Sequence, residues 1–544
     1  MMGEKAIEIS IKSSLLYLFL LLAILLYYMY LQMKVVLPNP ISFGDEGFHT
    51  SLARYIAVNK EYPKYIPFEG SELVRDGFYR PPLWNLLLAS FIFIFGVKEV
   101  VIKLVTLLIT FFLGIATFVL VKRNFNEIFA FFTAIILVSF QSVLTYTVLF
   151  YYANLLLFWI TLSLLCFITF LRENNRKFLI LSSVFASLAL LTNQFALTIY
   201  SLFFIYLLYE LVVDRKNLNQ KIKTYLPFIL LLILIPSSYI IRNILAYNTP
   251  ICFSLPYLKN LFDTSDCKID KFEEKYKFTG QAIPIGTEAT AFSIGFMNYL
   301  EFAYFRSAFI ILPFFIGLVF LFLSKENYTK FLLIYFLIYV ILILEVGRTR
   351  AEDTARYTLG FASLFALISG FAYWKIFEFI EKKLKILKYI ILLLVISISF
   401  ITVNERLDTL NKVKAWDPTF FEACEWIKVK TEKNATISTI WGHNGAWCSE
   451  RKMGPMFADV LLSNDFNYTL KVLKENGIDY LWIQKGSIDP YNRGYAGNYP
   501  ISFIRMLVDN PQYFIKVYEN GDEIEKCYQM CNGQTIYKLN ITDF

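Results

Sequence analysis

The chain has 544 residues, 57% of them hydrophobic and 18% aromatic, with a mean hydropathy of +0.51. Long apolar runs parted by short charged loops exclude a soluble domain of this size and define a polytopic membrane protein. The net charge of +8 is dispersed, much of it over short loops between apolar runs, so it reads as an orienting signal and not as a nucleic-acid patch.

In chain order, runs long enough to cross a bilayer fall at 13–33, 100–121, 127–146, 154–171, 178–193, 195–213, 224–241, 305–323, 330–346, 355–374 and 387–404. The first lacks a small-residue cleavage site and is read as a retained helix. Residues 178–213 are read as two helices, because Thr192-Asn193-Gln194 interrupts a stretch nearly twice as long as one span needs. The apolar piece 82–96 is short and opens on Pro81-Pro82.

Basic residues set the expected topology. Lys122-Arg123, Arg172 with Arg176-Lys177, the run from Asp214 to Lys223, Lys325 with Lys330, and Lys382, Lys383, Lys385 and Lys388 all fall on one side if 82–96 does not cross. That segment is therefore read as re-entrant or lying on the surface, which leaves about eleven crossings. The N-terminus is then cytoplasmic. The segments 34–99, 242–300 and the tail from 405 face outward together, on the outside of the cell membrane. The expected organisation is a membrane domain over 1–404 and an extracytoplasmic α/β domain over 405–544.

The tail reads helix 420–430, strand 435–442, helix 468–476, strand 479–484, helix 501–510, then strands near 513–519 and 535–539. Gly477 follows Asn476 as a helix stop. Cys166 lies in a membrane run, and the other six cysteines all fall in outward segments, which suggests disulfides. The sequence-local pairing is 252 with 267, 424 with 448 and 527 with 531, among the alternatives that six thiols allow. Zinc is disfavoured by the spacing, with only His443 nearby. Asn434, Asn467 and Asn540 head glycosylation sequons in outward segments.

Four features carry chemistry. Asp45-Glu46 follows the first membrane run; a carboxylate there can take a proton from an acceptor hydroxyl or bind a divalent cation. Asp45 can equally cap a helix starting at Gly47, with Glu46 in its first turn. His49 lies one turn further on and can face the same site. Arg80 stands just before Pro81-Pro82-Leu83 at the outer surface, where a guanidinium suits a lipid phosphate or snorkels at the interface. Arg242, in Pro236…Arg242-Asn243…Pro250, ends a membrane run at the same level. Arg356-Tyr357 opens a late run, where an arginine is costly unless paired.

The order of these motifs (acid pair, basic residue with Pro-Pro-Leu, Pro…Arg-Asn…Pro, Arg-Tyr) resembles the C-type glycosyltransferases of GT-C fold. Within them it is similar to the protein O-mannosyltransferases and the lipid A aminoarabinose transferases. The resemblance covers most of 40–375. It implies Asp45 as base or acceptor-site carboxylate with Glu46 its neighbour, and Arg80 and Arg242 as ligands of the donor phosphate. It also marks two departures. Asn154, in Tyr151-Tyr152-Ala153-Asn154, stands where relatives have a second Asp; it cannot act as a base but can bind a sugar hydroxyl or orient Asp45. Asn193 stands where relatives often have Lys. Trp441-Gly442-His443-Asn444-Gly445 replaces the Trp-Trp-Asp-Tyr-Gly of oligosaccharyltransferases, which disfavours en bloc glycan transfer to asparagine. Packing is the more natural use of Trp441 and Trp447, with acceptor binding as the alternative.

The resemblance thus implies an enzyme that moves one sugar from a polyprenyl-phosphate donor to a lipid, glycan or protein acceptor, with membrane lipids as its surroundings. No cofactor is required beyond a possible divalent cation at Asp45, Glu46 and His49. A flippase for a lipid-linked sugar would need acids near the bilayer midplane and often shows inverted repeats, and the sequence has neither. A non-catalytic glycan-binding membrane protein is the other alternative, kept open by Asn154.

Overall fold

A computed structural model describes residues 2–41, 44–63, 81–213, 218–247, 308–324, 326–349, 359–383, 387–414, 418–440, 442–454, 460–461, 463, 465–489, 499–527 and 531–540. The membrane region is built from helices α1 (Met2–Val36), α2 (Gly44–Asn59), α3 (Leu83–Phe95), α4 (Glu99–Asn124), α5 (Glu127–Val138), α6 (Gln141–Val148) and α7 (Ala153–Glu173). It continues with α8 (Arg176–Thr192), α9 (Leu197–Val213), α10 (Leu218–Tyr247), α11 (Ala308–Leu323), α12 (Asn327–Thr349), α13 (Phe361–Lys383) and α14 (Leu387–Lys414). The chain is a multi-pass membrane protein. Among the described residues six helices are long and apolar enough to cross a bilayer, and α5 with α6, bent by 52°, makes a seventh span if counted as one. Of the remaining expected spans, α9, α11 and α12 are present as helices with shorter apolar stretches and α8 as a 17-residue helix. α3 has 13 residues, about 20 Å of helix, which is short of the ~30 Å hydrocarbon core.

Local chemistry explains the breaks. The α5–α6 bend follows Ser139, whose hydroxyl donates to the Ile135 carbonyl and so competes with the helix ladder. Between α8 and α9, Asn193 is extended and its side-chain oxygen accepts from Phe195 N at 2.9 Å. The residue that departs from the relatives' Lys therefore does a capping job here.

The turn between α1 and α2 is clasped from α4. Lys103, its side chain 5% exposed, pairs with Glu99 at 2.7 Å and donates to the carbonyls of Asn39 (2.7 Å) and Leu37 (3.3 Å). Glu99 in turn accepts from Ile41 N at 2.9 Å. Two side chains one helical turn apart thus hold the segment that leads into Asp45-Glu46.

α14 continues through 405, where the domain boundary is expected, to Lys414. Beyond it lie α15 (Pro418–Lys430), β1 (Thr436–Ser438), α16 (Gly442–Ser449), β2 (Lys452–Gly454), α17 (Phe466–Glu475), β3 (Tyr480–Gln484), β4 (Ile488–Asp489), β5 (Tyr499–Pro500), α18 (Ile501–Asp509), β6 (Phe514–Gly521) and β7 (Gly533–Leu539). Five strands form one sheet in the order β2-β1-β3-β7-β6, parallel on the β2-β1-β3 side and antiparallel from β3 to β6. This is the α/β unit expected of the tail. β3 is buried along its whole length, as a central strand covered on both faces must be.

Cys424 pairs with Cys448 and Cys527 with Cys531, at Cα separations of 5.7 and 6.0 Å. Cys252 and Cys267 lie outside the described residues, and Cys166 is a buried free thiol. Asn434, Asn467 and Asn540 are all exposed.

Candidate active site

α2 begins at Gly44, three residues before the expected start at Gly47, so Asp45 and Glu46 both sit within its first turn. The capping reading is corrected accordingly. Acids in a first turn still complement the positive end of the helix dipole. The helix spacing then decides what faces inward. Glu46, His49, Thr50 and Ala53 follow the i, i+3, i+4, i+7 pattern, and all four are buried. Glu46 is fully buried. Burying a carboxylate beside α3 is expensive unless it is partnered or protonated, and such sites are disproportionately functional. The side chain of Asp45 lies outside the described residues.

His49 is held rigidly. Its Nδ1 meets Asn85 Oδ1 of α3 at 2.7 Å, and its ring stands edge-on to Tyr151 (5.9 Å) and Tyr152 (5.7 Å). Asn85 is itself buried, and its amide nitrogen reaches Tyr62 Oη at 3.4 Å. Tyr62 lies under the Arg242 guanidinium, 4.9 Å from its ring centroid, and Arg242 also donates to the Pro63 carbonyl at 3.2 Å. Arg242 is therefore oriented by a ring and a carbonyl, among other contacts. It does not end its helix: α10 runs on to Tyr247. The result is a continuous chain of contacts, His49–Asn85–Tyr62–Arg242, from the acid-bearing helix to the cation. Asn85 and Tyr62 were missed by sequence reasoning; Asn85, an amide in the apolar run that follows Pro81-Pro82, was the signal.

Asn154, second residue of α7, is fully buried about a different network. Its amide nitrogen donates to Thr147 Oγ1 (2.7 Å), the Val143 carbonyl (3.0 Å) and Thr110 Oγ1 (3.1 Å), and the two threonine hydroxyls meet at 2.7 Å. The side chain bolts α4, α6 and α7 together, while its carbonyl oxygen is buried with no hydrogen-bond partner among the described residues. Asn154→Ala is expected to lower the stability of the detergent-solubilised protein by about 1–3 kcal/mol, because it strips the buried hydroxyls and carbonyl of their donor; a thermal melt measures this.

Arg80, Arg356 and Tyr357 lie outside the described residues, as do Trp441 and the side chain of His443. Trp447 is buried against α2, with Arg54 over its ring at 5.2 Å, which is the packing use expected of it. Among the described residues no group of three His, Cys, Asp or Glu side chains is close enough to hold a metal ion.

The comparisons with known proteins converge on one class. The archaeal oligosaccharyltransferase of Archaeoglobus fulgidus, solved in complex with Zn and sulfate, superposes with a TM-score of 0.63 at 13% identity, covering 91% of this chain and 71% of its own. The same enzyme, AglB, in complex with an inhibitory peptide and a dolichol-phosphate gives 0.59 at 12% identity, covering 97% and 75%. ArnT of Cupriavidus metallidurans bound to undecaprenyl phosphate gives 0.61 at 10% identity, covering 96% and 97%. The protein has the GT-C fold of these membrane glycosyltransferases. A model of the dolichyl-phosphate-mannose-protein mannosyltransferase family matches residues 79–240, so the chain is similar to that family over α3–α10. No curated protein matches the sequence.

Proposed function

We propose that this protein is an integral-membrane glycosyltransferase that moves a single sugar from a polyprenyl-phosphate donor to a lipid, glycan or protein acceptor on the outer face of the membrane. The observation that carries the reading is the chain His49–Asn85–Tyr62–Arg242. It ties the helix that carries Asp45 and Glu46 to an oriented guanidinium suited to a phosphate.

In this reading Arg242 and Arg80 grip the donor phosphate and stabilise the charge that builds on it as the sugar departs. Asp45 takes the acceptor hydroxyl's proton, and the freed oxygen attacks the anomeric carbon from the face opposite the phosphate, inverting it. Glu46 supports Asp45 from the same turn, and His49 lines the acceptor side. Asn154 binds a sugar hydroxyl or orients Asp45. Arg356-Tyr357 contributes to substrate binding. The α/β domain closes over the site from outside. The family match over 79–240 and the undecaprenyl phosphate bound to ArnT support the donor class.

Incubating membranes that carry the protein with radiolabelled polyprenyl-phosphate sugars tests this. Label appearing in an acceptor supports transfer. Label moving across the membrane unchanged supports a flippase, and binding without either supports a non-catalytic protein. The topology has its own test: a single cysteine introduced beside Lys122 at the end of α4 is expected to react only with a reagent admitted to the cytoplasmic side. Labelling from outside overturns the orientation.

A further inference from the structure

The helix that carries the acids is gripped at its far end by the outer domain. Arg54 lies eight residues after Glu46 on α2, about 12 Å along the axis. Its Nη2 donates to the Ala446 carbonyl at 2.8 Å and its Nη1 to the Trp447 carbonyl at 3.1 Å, with the guanidinium over the Trp447 ring. Both carbonyls belong to the last four residues of α16, so they have no partner within their own helix. A cation there also meets the negative end of the helix dipole. Burial against α16 draws the Arg54 guanidinium down from its ordinary value, and the Glu450 carboxylate opposes that shift.

α16 is in turn stapled. Cys448, adjacent to Trp447, is disulfide-bonded to Cys424 of α15. Cys448, Trp447 and Arg54 are therefore consecutive links between the outer domain and α2. With the Glu99–Lys103 clasp before its start, α2 is held at both ends, and the only grip on its second half that comes from the outer domain's backbone among the described residues is Arg54.

We infer that Arg54 is a positioning residue of the reaction, and that the Cys424–Cys448 disulfide acts through it to hold the acid-bearing helix in register with the donor cations. Resting on the transferase reading, the inference says that the α/β domain is a mechanical part of the site as well as its cover. A displacement of about 1 Å at a reacting group costs on the order of 10²-fold in rate, so in this inference loosening the grip acts on turnover and leaves binding of the lipid donor in place.

The test uses the full-length protein in membranes. Arg54→Ala is expected to lower kcat at least tenfold with the donor KM unchanged, and Arg54→Lys to recover part of the loss through one carbonyl. The double variant Cys424→Ser/Cys448→Ser is expected to give a similar fall, with little further loss when combined with Arg54→Ala. Cys527→Ser/Cys531→Ser, which removes the disulfide remote from α2, is the control expected to leave kcat unchanged. Hydrogen exchange over 44–59 supplies a readout that needs no activity: faster exchange in both Arg54→Ala and the first cysteine pair is expected. Full kcat per folded molecule in Arg54→Ala, or unchanged exchange over 44–59, overturns the inference. Absence of turnover in the wild-type protein, with exchange responding as expected, overturns the transferase reading and leaves the grip standing.

Discussion

Asp45→Asn is expected to reduce sugar transfer by about 10²–10⁴-fold, the range that a positioned general base contributes. The substitution is nearly isosteric and sits in the first turn of α2, where an amide is tolerated, so the protein is expected to fold and to bind donor with unchanged affinity. The loss should therefore fall on kcat. Glu46→Gln at the neighbouring, fully buried position is expected to cost less, because in this account Glu46 supports the base and does not replace it. Initial-rate assays with saturating donor separate the two. Wild-type turnover in Asp45→Asn removes the base assignment.

Arg242→Ala is expected to cost about 10²–10³ in kcat/KM, since a donor aimed at the charge on a leaving group is worth that much. The residue is placed by the Tyr62 ring and the Pro63 carbonyl, so its removal leaves a gap at the donor side without touching the His49–Asn85 bond. Arg242→Lys keeps the charge but loses the planar fork and the stacking, and is expected to recover only part of the activity. Measuring KM for the lipid donor alongside kcat decides whether the cation acts on binding, on the departing phosphate, or on both.

What could be read from the residues divides by range. Helices of the membrane region were legible because a bilayer demands about 20 apolar residues in a row, and that demand is written locally. The break at Thr192-Asn193-Gln194 was legible for the same reason: an Asn that caps leaves a mark in an otherwise apolar run. In the tail, β3 and β7 announced themselves by β-branched and aromatic runs, whereas β2, three residues long, and α16, with two glycines and an asparagine, carry too little local signal. The expected start of α2 falls three residues late, because Asp45 reads as a cap while the helix runs from Gly44.

The site followed the same rule. Asp45-Glu46 and Arg242 stood out as charges at the edge of membrane runs. Asn85 and Tyr62, which join them, did not, because their meaning lies in contacts between α2, α3 and α10 across long separations. Asn154 was visible as a departure from an expected acid, but its anchoring of α4, α6 and α7 depends on Thr110 and Thr147, and no spacing in one helix predicts that partnership. Arg54 carries no local mark that sets it apart from other charges; its meaning lies in the α16 carbonyls it meets.

The central claim is that a lipid-borne phosphate is held beside the acid-bearing helix. An experimental map of the protein with a polyprenyl phosphate bound tests it most directly. The account predicts phosphate density about 3 Å from the Arg242 guanidinium, on the side of Tyr62 that leads to His49, with the lipid chain running from there into the membrane. Phosphate bound elsewhere, with no density beside the Arg242 guanidinium, contradicts it.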